Sequence, residues 1–124
     1  MNFSPVRKSK HVGIKTECAC GVVHDSRKEW SRCVYLRHLQ DKGEIVGLRT
    51  HPRYDFYING RQVLMENRHC AHITLDFAYF EMPYELAVVE DVKPKSKKAD
   101  SRDYPLRKAI FKALYPHIEL REIR

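Results

Sequence analysis

The chain has 124 residues, 43% hydrophobic and 31% charged, with 23 Lys and Arg against 16 Asp and Glu and a net charge of +7. That length suits one domain with a core large enough to dispense with a disulfide scaffold, and the composition excludes a disordered or fibrous chain. No apolar run approaches the ~20 residues of a membrane span, so the cationic surplus points to a polyanionic partner, nucleic acid first.

Residues 1–12 read as a flexible basic arm, and residues 13–124 as a single domain. The basic start has no apolar h-region, so the expected location is the cytoplasm, with no membrane association. A short strand or hairpin turning at Gly21 is expected within residues 13–24. Ser26-Arg27-Lys28-Glu29 has the form of a capping box, and an apolar-periodic stretch follows to Asp41, with Gly43 as the stop. This predicts a helix of about four turns.

β-rich sequence comes next. Arg53–Ile58 and Arg61–Met65 flank Asn59-Gly60, a strong hairpin signal. Ile73–Phe80 is a third strand candidate and Leu86–Lys93 a fourth. The polar segment 94–103 precedes a second helix, capped at Asp103 or Tyr104 with Pro105 in its first turn. Leu106, Ala109, Ile110, Ala113 and Leu114 recur at helical spacing and predict the sheet-facing stripe. Ile118, Leu120 and Ile123 suggest a last strand. The order is α-β-β-β-β-α-β, an α/β fold with a β-sheet flanked by helices.

Three acidic positions and one lysine carry chemical interest. In a strand, Asp91 and Lys93 project to one face while Val88 and Val92 face the other. The pair is either a rim salt bridge, worth ~0–1 kcal/mol, or part of a site at the end of a buried strand. Asp76 interrupts the apolar run between Leu75 and Phe77, where an unpaired carboxylate is costly and a bound cation would compensate it. If its strand neighbours that of Asp91, both carboxylates reach one hard cation such as Mg²⁺. Glu29 has a complete account as a helix cap, which the residues alone favour; it also shares a stripe with Cys33 and Leu36. Glu90 points away from Asp91 and reads as an outer-face residue.

These residues resemble a known family. Ser26-Arg27-Lys28-Glu29, then Leu39, Gly43-Glu44-Ile45 and Leu48, then Asp76-Phe77, Val88-Val89-Glu90-Asp91-Val92-Lys93 and Leu106-Arg107-Lys108 through Phe111 to Tyr115 are similar to a phage and prophage family. Its members are described as endonuclease or Holliday-junction-resolvase-like proteins of the PD-(D/E)xK superfamily. The resemblance spans roughly residues 11–123. It implies a restriction-endonuclease-like mixed sheet and a metal-dependent endodeoxyribonuclease. It also implies catalytic residues Glu29, Asp76, Asp91 and Lys93, with Mg²⁺, or Mn²⁺ in its place, held by Glu29, Asp76 and Asp91. Leu75 stands where the family name has proline, and Pro94 follows the lysine where glycine is expected.

The expected partner is DNA, with branched or Holliday-junction DNA as the implied substrate and a homodimer as the implied assembly. Lys95, Lys97, Lys98, Arg102, Arg107 and Lys108 form the expected contact surface. The aromatic residues Tyr54, Phe56, Tyr57, Phe77, Tyr79 and Phe80 read as core and cross-strand pairs rather than as base-stacking platforms. Two other readings stand beside the nuclease. One is a non-catalytic phage DNA-binding protein on the same fold. The other is a zinc-stabilised interaction protein using Cys18, Cys20, His24 and Cys33, or His69, Cys70 and His72.

Overall fold

The computed structural model describes residues 16–17, 21, 23–24, 26–93 and 103–124. Residues 1–12, read above as the basic arm, lie outside them. A short hairpin opens the described chain, β1 (Thr16–Glu17) pairing antiparallel with β2 (Val23–His24), with Gly21 at φ 85° between them.

Helix α1 (Arg27–Asp41) begins where Ser26 Oγ accepts the Glu29 N–H at 3.1 Å. It ends in a Schellman turn: Gly43 at φ 79° donates to the Gln40 carbonyl and Glu44 to that of Leu39. Both ends follow from the cap and stop residues.

The principal sheet has four strands in the order β10-β9-β8-β3, from β3 (Ile45–Thr50), β8 (Phe77–Glu81), β9 (Leu86–Val92) and β10 (Glu119–Ile123). β3, β8 and β9 form an antiparallel meander; β10 returns parallel to β9 after helix α2 (Tyr104–Leu114). The molecule is therefore mixed α/β with a mainly antiparallel sheet. No helix among the described residues is long and apolar enough to cross a membrane.

Several sequence expectations change here. The hairpin over Arg53–Met65 is not part of this sheet. Asn59 and Gly60 do turn it, at φ 51° and 75°, but its arms are only β5 (Tyr57–Ile58) and β6 (Arg61–Gln62). The preceding β4 (Arg53–Asp55) pairs instead with β7 (His72–Thr74). The sheet strand in that region is β3, which no strand expectation covered. Its Gly47, at φ 69° within a bulge, breaks the alternation, and a Cβ there would stand 3.2 Å from the Phe80 ring.

The expected strand Ile73–Phe80 is two strands. The chain leaves the β4–β7 ribbon at Leu75, whose N–H donates to Pro52, and joins the sheet at Asp76, whose N–H donates to Glu90. On α2, Leu106, Ala109, Ala113 and Leu114 are exposed, and Ile110 alone of the predicted stripe packs inward. The buried anchor is Phe111, set between Tyr54 and Tyr115 with ring centroids at 4.9 and 5.3 Å. The large ring fills space that the small alanines cannot, which rotates the helix toward the ribbon.

Each face of the sheet has its own core. Cys33 and Leu36 of α1 pack with Ile45, Phe77, Tyr79 and Val88, while Phe56, Ile73 and Leu75 pack with Ala78, Val89 and Phe111 on the other face. Glu90 is on the α1 face and fully buried, not on an outer face. Arg32 grips its carboxylate with two bonds of 2.7 Å, and the Tyr79 hydroxyl donates to it. Burial, with that bond, pushes the Tyr79 phenol well above its ordinary value.

Removing one partner of such a pair strands a buried charge. Arg32→Met is expected to destabilise the protein by roughly 3–5 kcal/mol, and the double change Arg32→Met, Glu90→Leu to recover most of that loss. Urea unfolding measures both; equal losses in the single and double variants would refute the pairing as their cause.

Candidate metal centre

Four segments meet at the end of the sheet where β9 finishes. Helix α1 supplies Glu29 from its first turn, His51 is the residue after β3, Asp76 the residue before β8, and β9 supplies Asp91 with Lys93 just beyond it. Backbone bonds fix this meeting. His51 donates its N–H to the Asp76 carbonyl at 2.9 Å, and Lys28 Nζ bonds the Lys93 carbonyl at 2.7 Å. Val92 donates its N–H to Asp76 Oδ2 at 2.6 Å, fastening that carboxylate to the C-terminal end of β9.

Glu29, His51 and Asp76 each bring one candidate ligand atom within 4.8 Å of the others, the only such group of three or more among the described residues. The Glu29 side chain is 6% exposed, and its Oε1 lies 2.7 Å from His51 Nε2. Glu29 thus serves in two ways: its backbone N–H meets the Ser26 cap while its carboxylate enters the cluster. Asp91 lies within hydrogen-bonding reach of the Asp76 carboxyl and perturbs it by charge, as does Glu29. Burial pushes Asp76 up to about 8; the Val92 N–H opposes this, and the charges of Glu29 and Asp91 add to it.

On the other side of β9, Lys93 is 3% exposed. Its Nζ lies 2.8 Å from Asp91 Oδ2, 3.3 Å from Glu122 Oε2 and 3.6 Å from the Tyr104 ring centroid. Asp91 Oδ2 is buried, and the lysine ammonium beside it balances its charge. Glu122 also takes Lys108 at 2.7 Å, and that bond, with Lys93, holds its carboxyl below the usual range.

The donor set suits a divalent cation. It combines two buried or half-buried carboxylates, an imidazole and a third acid close by, and the charges of Glu29 and Asp91 add to the rise in the Asp76 pKa. Glu29, His51 and Asp76 bring the atoms that could hold it; Asp91, expected as a third acid ligand, stands outside that group beside the Asp76 carboxyl, and His51 is a residue that spacing did not suggest. The only signal was a His-Pro step after an apolar stretch; its φ of 50° cannot be read from sequence.

The expected DNA contacts are placed only in part. Lys95, Lys97, Lys98 and Arg102 lie outside the described residues. Arg107 is engaged by Asp103 at 2.8 Å and the His72 carbonyl at 3.1 Å, and Lys108 by Glu122. The alternative zinc sets are not assembled among the described residues. Cys33 and Cys70 are buried, Cys33 within the α1 core, and Cys18 and Cys20 lie outside the described residues. No protein-family model matches the chain, and no curated protein or solved structure is significantly similar to it.

A raised carboxyl pKa carries a sign. The folded protein keeps a proton on Asp76 that the unfolded chain releases above pH 3.8, so the Asp76 contribution to metal-free stability is full below that pH and is lost as pH rises through about 8. Asp76→Asn keeps an acceptor for the Val92 N–H and carries no charge. It is expected to melt higher than wild type at pH 7–8 without metal, and to lose the stabilisation that Mn²⁺ gives wild type. A lower melting temperature with an unchanged pH slope would count against this account.

Proposed function

We propose that the chain is a divalent-metal-dependent endodeoxyribonuclease with a restriction-endonuclease-like core, acting with Mg²⁺ or Mn²⁺. The observation that carries this is the convergence of Glu29, Asp76, Asp91 and Lys93, from segments up to 64 residues apart, at one end of the sheet. The element order α1-β3-β8-β9-α2-β10, a meander followed by a helical crossover to a parallel strand, supports the likeness to PD-(D/E)xK enzymes.

The chain's own groups divide the work of phosphodiester hydrolysis. Glu29 and Asp76 would hold a divalent cation, which when bound would supply polarisation of a phosphate oxygen and a lowered pKa for a water. Lys93, held beside Asp91, presents positive charge toward the phosphoryl oxygens as negative charge develops on them. The water oxygen attacks phosphorus, the bond to a sugar oxygen breaks, and that oxygen leaves with a proton.

DNA is the proposed substrate, drawn by the net charge of +7. Branched or junction DNA is its proposed form, a homodimer the proposed assembly, and the cytoplasm of a bacterial host the proposed location. Cleavage is tested over linear, single-stranded, flapped and four-way-junction DNA with Mg²⁺, Mn²⁺ or EDTA. Asp76→Ala and Asp91→Ala are each expected to reduce cleavage to the EDTA level while DNA binding persists. Binding of every substrate without cleavage in the wild type would favour the non-catalytic DNA-binding reading.

The basic residues of segment 94–102 make a separate prediction. Replacing Lys97 and Lys98 together by alanine is expected to weaken DNA binding and make the slope of log K against log salt shallower by about two. An unchanged slope removes both lysines from the contact surface.

A further inference from the structure

The candidate centre joins carboxylates to an imidazole. His51 is built into it: its N–H is bonded to the Asp76 carbonyl, and the next residue, buried Pro52, accepts the Leu75 N–H at 3.0 Å. Two bonds therefore tie the His51-Pro52 step to the Leu75-Asp76 step, so the imidazole and the Asp76 carboxylate are placed by one backbone unit. The ring nitrogen Nε2 lies 2.7 Å from Glu29 Oε1, and the side chain keeps 35% exposure beside a nearly closed glutamate.

Mg²⁺ takes oxygen ligands and gives up its waters reluctantly. An imidazole nitrogen instead favours first-row transition ions, whose affinity for mixed N/O sites rises from Mn²⁺ onward. From this donor set we infer that the centre holds a divalent transition-metal ion in preference to Mg²⁺, with His51 as a nitrogen ligand alongside Glu29 and Asp76. This rests on the proposed metal centre and adds to it the class of ion and the residue that selects it.

The full chain, stripped with EDTA, is titrated separately with MnCl₂ and MgCl₂ by calorimetry, and its Mn²⁺ complex is measured by pulsed electron paramagnetic resonance. Mn²⁺ is expected to bind roughly tenfold or more tightly than Mg²⁺. Wild-type bound Mn²⁺ is expected to show a nitrogen coupling that His51→Gln lacks. The wild-type spectrum stands whether or not that variant folds. Equal affinities, or Mn²⁺ bound without nitrogen coupling, overturn the role of His51 and leave a carboxylate metal centre in place. Failure of both ions to bind the wild type overturns the centre itself, and this inference with it.

Discussion

Strand β9 is covered on both faces, and its last residues are nevertheless charged. Val88 and Val89 satisfy that burial, one toward each core. Glu90, Asp91 and Lys93 follow immediately, and strand alternation sends Glu90 one way and the other two the other way. Each charge therefore needs its own partner on its own face. Arg32 and Tyr79 meet Glu90 under α1; Lys93 meets Asp91 near α2, with Glu122 brought in by the parallel pairing of β10. The placement of α1, α2 and β10 around the strand follows from that division.

Asp76 shows how this arrangement becomes chemically unusual. Its backbone is stitched into the sheet, and its Oδ2 is held by the Val92 N–H, yet Glu29 and Asp91 bring two further acids to it. A protein selected only for stability would not gather three acids there, because each one raises the cost of ionising the others. Ion-pair networks that serve structure alone end in cations, as at Glu90. Here Lys93 takes Asp91, while Glu29 and Asp76 meet an imidazole, a donor set that suits a divalent ion.

How far the sequence foretold this depends on whether local chemistry decides the structure. The α1 boundaries followed from Ser26 and Gly43, the turn at Asn59-Gly60 from its need for positive φ, and the shared face of Asp91 and Lys93 from strand geometry. Pairing partners were not legible, because they depend on segments far apart in the chain. The Asn-Gly hairpin looked like a sheet component, but Arg53–Asp55 found β7, and β3 was hidden by Gly47. Asp76 was recognised as costly inside a strand, whereas it sits at the junction where one strand ends and the next begins. Glu90 was misjudged because its partner, Arg32, is 58 residues away. His51 was missed for the same reason, since only the fold brings it to Glu29.

The acidic centre also bears on the proposed DNA substrate. The chain as a whole is cationic, but the place where a phosphate would react holds Glu29, Asp76 and Asp91, and its buried lysine, Lys93, already balances Asp91 and Glu122. A phosphodiester approaching those acids alone meets net repulsion, so general attraction by Lys and Arg elsewhere cannot by itself seat it. In the proposed function the cation reverses the local sign, which makes it a condition for seating the substrate as well as for cleaving it. Distant basic residues would then govern how often DNA arrives and how steeply binding depends on salt. The centre would govern whether the scissile phosphate can sit beside Lys93.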